Sequence, residues 1–276
     1  MFLFGSHINA INIEYTEDKI KDVKKAGGNF VQLFANPKIK PDQLLLLLEK
    51  YKVKCVVHSS YLNNLARDWD KYSFWINIII DEIIYSHTIN AIGLVIHFGK
   101  YVDLTKEEAY NNIFTSLVHI HTQTLQYNNI KIILETSSGQ GTETCSNLKE
   151  LSHFFNKFKK MTHLPQFKDR FKICIDTCHI FSAGYPIYNK TQIKLFIETF
   201  EELIGIKYVY LIHLNDSKVE CGSLVDRHAP IGHGHIGFTG LKFFFDYFKN
   251  LNIPIILETP YDEYKKEIQM LNTSDI

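Results

Sequence analysis

The sequence predicts an α/β fold, a closed (β/α)8 barrel, from three observations. Short β-rich apolar runs alternate with amphipathic helical stretches along the whole chain, the pattern of parallel strands joined by crossover helices. The runs number eight, enough to close a barrel. Histidines and carboxylates recur at or just beyond the carboxyl ends of the runs, where such a barrel assembles its site.

The first run, LFGSHI (3–8), carries His7 and is followed by a helical stretch over 17–26. FVQLF (30–34) leads into a helix over 41–50, whose opening proline has the fixed φ that suits a first turn. KCVVHS (54–59) lifts His58 ahead of a helix over 71–88. AIGLVIHF (91–98) lifts His97, and Thr105 with Glu108 three residues on is a capping-box start for a helix over 106–126. KIILET (131–136) presents Glu135 before a helix over 147–160, and FKICIDT (171–177) presents Asp176, with His179 just beyond, before a helix over 191–204. KYVYLIHLN (207–215) carries His213, and Asp226 and His228 follow ahead of a helix over 239–250. IPIILET (253–259) ends on Glu258, and a short last helix starts from Tyr261.

Composition bounds the rest. The chain has 276 residues, 45% of them hydrophobic, with no low-complexity tract or linker, so one domain spanning 1–276 is expected. Only Met1 to Phe4 precede Gly5, too little for the apolar core of a signal peptide. The most apolar stretch, 75–85, contains Asn77, Asp81 and Glu82, and the 44–48 leucine run is far below the roughly 18 residues of a membrane span. A soluble protein with no membrane partner is expected. Five cysteines without a CxxC pair point to reduced thiols in an intracellular compartment, be it cytoplasm, nucleus or a viral factory. The abundance of Ile, Asn, Lys and Tyr suggests an AT-rich genome, such as that of a large virus, a parasite or a minimal bacterium. Thirty basic and thirty acidic residues cancel, which taken alone argues against a nucleic-acid partner. Bound divalent ions would add charge that this sum omits.

Nine residues carry the chemistry: His58, His97, Glu135, Asp176, His179, His213, Asp226, His228 and Glu258. Imidazole and carboxylate suit zinc, and less selectively manganese or iron, at about 2.0 to 2.2 Å. One histidine closing an apolar run is usually a loop or core residue. Nine metal-type residues at the same end of seven successive strands are a different matter, and they exceed what one tetrahedral ion can use, so two or three ions are implied. Asp226 and His228 are two apart, so in an extended segment they share a side and could share an ion. Asp176 and His179 are three apart at a strand end, which favours different ions. Of the other histidines, His87, His119, His121, His153 and His163 read as structural, while His7, His233 and His235 read as partners that orient ligands.

With these residues placed, the chain resembles the endonuclease IV family of apurinic/apyrimidinic (AP) endonucleases, trinuclear-zinc DNA-repair enzymes on a TIM barrel. The matching segments are GSH (5–7), HSSYLNNLA (58–66), IHFG (96–99), ETSSGQG (135–141), CIDTCHIFSAGY (174–185), HLNDSK (213–218), VDRHAPIGHGHIG (225–237) and ILETP (256–260). They cover nearly the whole chain in the family's order. The resemblance implies a first zinc on His58, His97 and Glu135, and a second bridged by Glu135 and completed by Asp176, His213 and Glu258. A third would sit on His179, Asp226 and His228. It implies catalytic roles for Glu135, Asp176 and Glu258, and cleavage 5′ to an abasic site in double-stranded DNA by a monomer, leaving a 3′-hydroxyl and a 5′-deoxyribose phosphate, with 3′-end trimming besides. Tyr61 matches the family tyrosine that enters DNA at the lesion. Lys218 and Arg227 are candidate phosphate contacts.

Three departures stand out. Lys38 in ANPKIK takes the place of a family arginine, with no aromatic after it, and lysine lacks the planar fork. Phe98 replaces the usual proline after His97, and His233 and His235 replace more variable polar residues. Two other classes use related features. A divalent-metal sugar isomerase or epimerase needs only a set such as Glu135, Asp176, His213 and Glu258, and a non-catalytic damaged-DNA binder needs no intact ligand set.

Overall fold

The computed structural model describes residues 1–161, 169–259 and 263–273. Strands β1 (Phe4–His7), β2 (Phe30–Phe34), β3 (Lys54–His58), β4 (Gly93–His97), β5 (Lys131–Glu135), β6 (Phe171–Asp176), β7 (Val209–His213) and β10 (Ile255–Leu257) close into a barrel in the order β1, β10, β7, β6, β5, β4, β3, β2. Every barrel pairing is parallel. Around it lie α1 (Ile13–Lys25), α2 (Pro41–Tyr51), α3 (Phe74–Thr88), α4 (Lys106–Gln123), α5 (Leu148–Lys160), α7 (Lys190–Leu203), α8 (Phe238–Asn250) and α9 (Tyr264–Thr273).

Strand alternation sorts the apolar residues into two cores. Phe30, Val56, Val95, Ile133, Cys174, Leu211 and Ile256, one from each of seven strands, form a cluster of their own inside the barrel. Their neighbours, such as Val31, Val57, Leu94, Leu134 and Leu257, join the larger core beneath the helices. The eighth strand supplies Gly5 because there is no room for more: a Cβ there would sit 1.6 Å from the Phe30 carbonyl oxygen.

Several sequence expectations need correction. The first helix starts at Ile13, four residues before 17, because the Asn12 side chain caps it by accepting from Tyr15 N. The third starts at Phe74, since Asp70 accepts from Tyr72 N and Ser73 Oγ and holds that stretch in a turn. The Thr105/Glu108 capping box forms in both directions. Among the described residues, elements beyond the sequence expectations include α6 (Thr177–Ser182) and a small antiparallel ladder of β8 (Asp216–Ser217) with β9 (His228–Ala229). The expected start at Tyr261, and His163, lie outside the described residues. All five cysteines are free, and among the described residues no helix is long and apolar enough to cross a membrane.

Candidate metal centre

The pleat builds the site. Two residues beyond each member of the inner apolar cluster, on the same face, stand Gln32, His58, His97, Glu135, Asp176, His213 and Glu258, and His7 stands two beyond Gly5. Thus all eight barrel strands contribute one polar side chain to a single ring. Five of the nine anticipated residues end barrel strands β3 to β7 and Glu258 stands one residue past β10, so six strands in succession carry them, not seven. The other three arrive by different routes. Asp176 Oδ1 accepts from His179 N at 2.8 Å, so the carboxylate that ends β6 also caps the helix carrying His179. Asp226 and His228 come from the connection after β7, which β8 and β9 fold back over the mouth.

Imidazole and carboxylate atoms gather in three groups whose members lie within 4.8 Å of one another: His58, His97 and Glu135; Glu135, Asp176, His213 and Glu258; and His179, Asp226 and His228. Glu135 faces two ways. Its Oε2 lies 3.3 and 3.4 Å from the Nε2 atoms of His58 and His97, and its Oε1 lies 3.0 Å from His213 Nδ1. His228 Nε2 and His179 Nε2 approach the two oxygens of Asp226, each at 3.2 Å. A fourth, overlapping group joins Asp176 and His228 to Cys178. Burial pushes the Cys178 thiol up to about 12, which keeps it protonated and the weakest donor of the set.

The donor set fits a cluster of borderline divalent ions, and the ring nitrogens turned outward support that fit. His58 Nδ1 sits 2.8 Å from Ser59 O and His179 Nδ1 2.7 Å from Thr136 O. A carbonyl can only accept, so these nitrogens carry the protons and each Nε2 is left toward its group. His213 is reversed: Nε2 donates to Gln32 Oε1 at 2.8 Å and Nδ1 faces the carboxylates. The charges answer one another. Burial alone would raise Glu135, but His97 and His213 hold its carboxyl well below the ordinary range. Glu258, likewise buried, is brought to about 2 chiefly by His213. For Asp176, burial wins over His179 and His228 and its carboxyl is raised. Burial works against a charged His228, yet Asp226 raises it to about 9. Burial lowers His97 to about 4.

Two buried polar residues escape the sequence reading. Asn215 Nδ2 donates to Asp176 Oδ2 at 2.6 Å and its Oδ1 accepts from Glu258 N at 2.9 Å. Gln32 lies within the ring itself. Its signal is present in the sequence: it stands two residues after Phe30, as His58 does after Val56. Around them, Glu82 reaches from α3 to Ser59 Oγ and Ser60 N. Asp216 accepts from the backbone N–H groups of Gly232, Gly234 and Ile236. That ties down the backbone of the GHGHIG loop, and the His233 and His235 side chains on it are exposed and belong to none of the donor groups. His7 does reach the set, through Gln32 Nε2 at 3.2 Å from its Nδ1.

At the rim, Tyr61 is 68% and Leu62 76% exposed. The Tyr61 ring leans on Phe34, His58 and His97, with centroids 5.3, 5.3 and 5.6 Å away. It separates a cavity of 370 Å³, bordered by His97, Lys100, Gln140 and Asp226, from one of 220 Å³ bordered by His7, Lys19, His228 and Glu258. Lys38 is exposed along a shallow groove that includes Phe34. Lys218 N donates to Arg227 O at 2.8 Å, so these two basic residues are neighbours, and Arg227 Nη1 donates to Gln140 Oε1 at 3.2 Å. Phe98 is buried against Phe154.

A closed parallel barrel whose mouth holds several buried histidine and carboxylate groups defines a class, and a family model described as xylose isomerase-like TIM barrel matches residues 20–274. Among curated relatives, the probable endonuclease 4 of Mycoplasma mobile is 40% identical over 220 residues, covering 78% of this chain and 74% of that protein. That of Malacoplasma penetrans is 32% identical over 296 residues, covering 99% and 97%. The chain therefore belongs to the endonuclease 4 family. Solved structures share the fold at low identity. Endonuclease IV from Thermus thermophilus superposes with a TM-score of 0.77 at 22% identity, over 96% of this chain and 95% of that one. A D-tagatose 3-epimerase-like protein superposes at 0.70 and 18%, over 97% and 95%.

Proposed function

We propose that this protein is a zinc-dependent AP endonuclease of base-excision repair, acting inside the cell as a monomer on double-stranded DNA that contains abasic sites. It hydrolyses the phosphodiester 5′ to the abasic site, leaving a 3′-hydroxyl and a 5′-deoxyribose phosphate, and trims blocked 3′ ends. The observation that carries the reading is Glu135, whose two oxygens face two different histidine sets. One group, Glu135, Asp176, His213 and Glu258, would serve a sugar isomerase. That reaction leaves His58, His97, His179, Asp226 and His228 without a task.

In this reading three ions occupy the three groups, with manganese or iron able to replace zinc in part. Zinc so bound supplies Lewis acidity that polarises the phosphodiester and lowers the pKa of water from 15.7 towards about 7. Glu135, Asp176 and Glu258 hold their oxygens at the centre, where Asn215 bonds Asp176 and Glu258 and Gln32 bonds Glu258. Tyr61 and Leu62 form an apolar wedge where a base is missing, the place where unstacking costs least. Lys100, Lys218 and Arg227 meet phosphates at the mouth, and Lys38 meets one further along the groove. Such local charge serves a chain whose net charge is zero.

The test couples metal content to cleavage. Elemental analysis of protein purified without chelator should give about three zinc ions per chain. Incision of an abasic duplex should vanish on chelation and return with zinc. A reproducible single metal without incision would favour the isomerase, and abasic-duplex binding without incision the non-catalytic binder.

A further inference from the structure

We infer that Gln32 is a positioning residue of the metal centre: its amide fixes His213 so that Nδ1, and not Nε2, is the nitrogen offered to an ion. The inference rests on the metal-centre reading above and deepens it. Gln32 is fully buried on β2 and is a member of the ring not suited to bind metal. Both ends of its amide are engaged there. Oε1 lies 2.8 Å from His213 Nε2, and Nε2 lies 2.5 Å from Glu258 Oε1 and 3.2 Å from His7 Nδ1.

An amide has one acceptor oxygen and two N–H groups. A flipped amide would set its oxygen against Glu258 Oε1, two acceptors facing each other with no proton between them at a depth where unpaired polar atoms are costly. One orientation is therefore allowed. It requires Nε2 of His213 to carry a proton, and it leaves Nδ1, 3.0 Å from Glu135 Oε1 and 3.2 Å from Glu258 Oε2, as the ligand atom. The same amide holds Glu258 by its other end. One neutral side chain thus aligns two donors of the group that shares Glu135.

Gln32→Met removes both polar ends at similar volume, and Gln32→Glu keeps an acceptor for His213 while opposing Glu258. Two readouts beside activity apply: stepwise ion release to a competing chelator, and ¹⁵N chemical shifts of His213 in histidine-labelled protein. Gln32→Met should release one ion about 10- to 100-fold more readily than wild type, leave the tightest ion unchanged, and lose uniform Nε2 protonation at His213. Gln32→Glu should keep that protonation while still weakening the same ion. Wild-type ion affinities together with a wild-type His213 pattern in Gln32→Met would overturn the inference, as would equal weakening of every ion in either variant. If Gln32→Met fails to fold, Gln32→Glu decides by the same criteria. A wild-type chain that binds no ion would sink the metal-centre reading on which the inference rests, whereas a wild-type chain that binds its ions while Gln32→Met leaves every ion affinity unchanged would sink the inference alone.

Discussion

Two rings of side chains share the barrel's interior, one residue pair apart on the same strands, and they have opposite chemistry. The lower ring, from Phe30 round to Ile256, is apolar and fully buried. The upper ring, from Gln32 round to Glu258, is polar on every strand, and five of its members are no more than 1% exposed. Strand geometry separates the rings by about 6 to 7 Å. Over that distance the interior passes from a packed core, where a missing methyl leaves a void, to a polar net, where each atom needs a partner. Stability and function should therefore separate by ring.

The largest effect should come from the upper ring. Glu135→Gln keeps the shape but removes the charge that two histidine sets share, so incision should drop by at least about 10³-fold. Circular dichroism should show the fold intact. Near-native incision by such a variant would remove Glu135 from the mechanism and with it the functional half of the contrast.

One ring below and on the same strand, Ile133→Ala should cost about 3 kcal/mol of stability through lost burial and a residual cavity. Denaturant titration reads the cost, and zinc content should be unchanged in the folded protein. A variant that lost its ions at wild-type stability would show that the rings are not separable.

A buried histidine outside both rings sharpens the contrast. His121 on α4 is 1% exposed, and its Nδ1 lies 3.2 Å from Arg170 Nη1. Burial first, and Arg170 second, lower it to about 4, whereas Asp226 raises His228. Because the folded value is depressed, the unfolded chain binds more protons between pH 6.5 and 4. The contribution is complete above about 6.5 and is lost as pH falls towards about 4. Denaturant midpoints from about pH 7 to about pH 4 should decline less steeply in His121→Gln than in wild type. Parallel declines would mean that His121 takes up its proton without cost.

The smallest effects lie at the rim. Tyr61→Ala should weaken binding to an abasic duplex by about 1 to 3 kcal/mol and affect intact duplex much less, with zinc content unchanged. Lys38→Ala should weaken both duplexes alike and lower the salt slope by about one. Titrations at several salt concentrations decide, and equal losses for Tyr61→Ala on both duplexes would make it a backbone contact.

The barrel is legible because βα alternation is written locally: all eight runs form strands, and the expected helices err at ends such as Asn12 and Ser73, where one side-chain cap or turn decides. Grouping is partly legible too. The two-residue spacing of Asp226 and His228 matches their place in one group, and Asp176 and His179 fall in different groups. The α6 turn is hidden because its cap, Asp176, already reads as a donor.

By itself the sequence determined the eight strands, their order along the chain and the polar residues at their carboxyl ends, because periodicity and residue type are local properties. Only the tertiary structure decided which donors Gln32 and Asn215 bond to, that the His233 and His235 side chains are exposed, and that the 226–228 segment brings Asp226 and His228 to His179. Those outcomes depend on which atoms meet after the barrel closes. An amide in an apolar run reads as one polar residue until the ring brings a histidine to its oxygen and a carboxylate to its nitrogen.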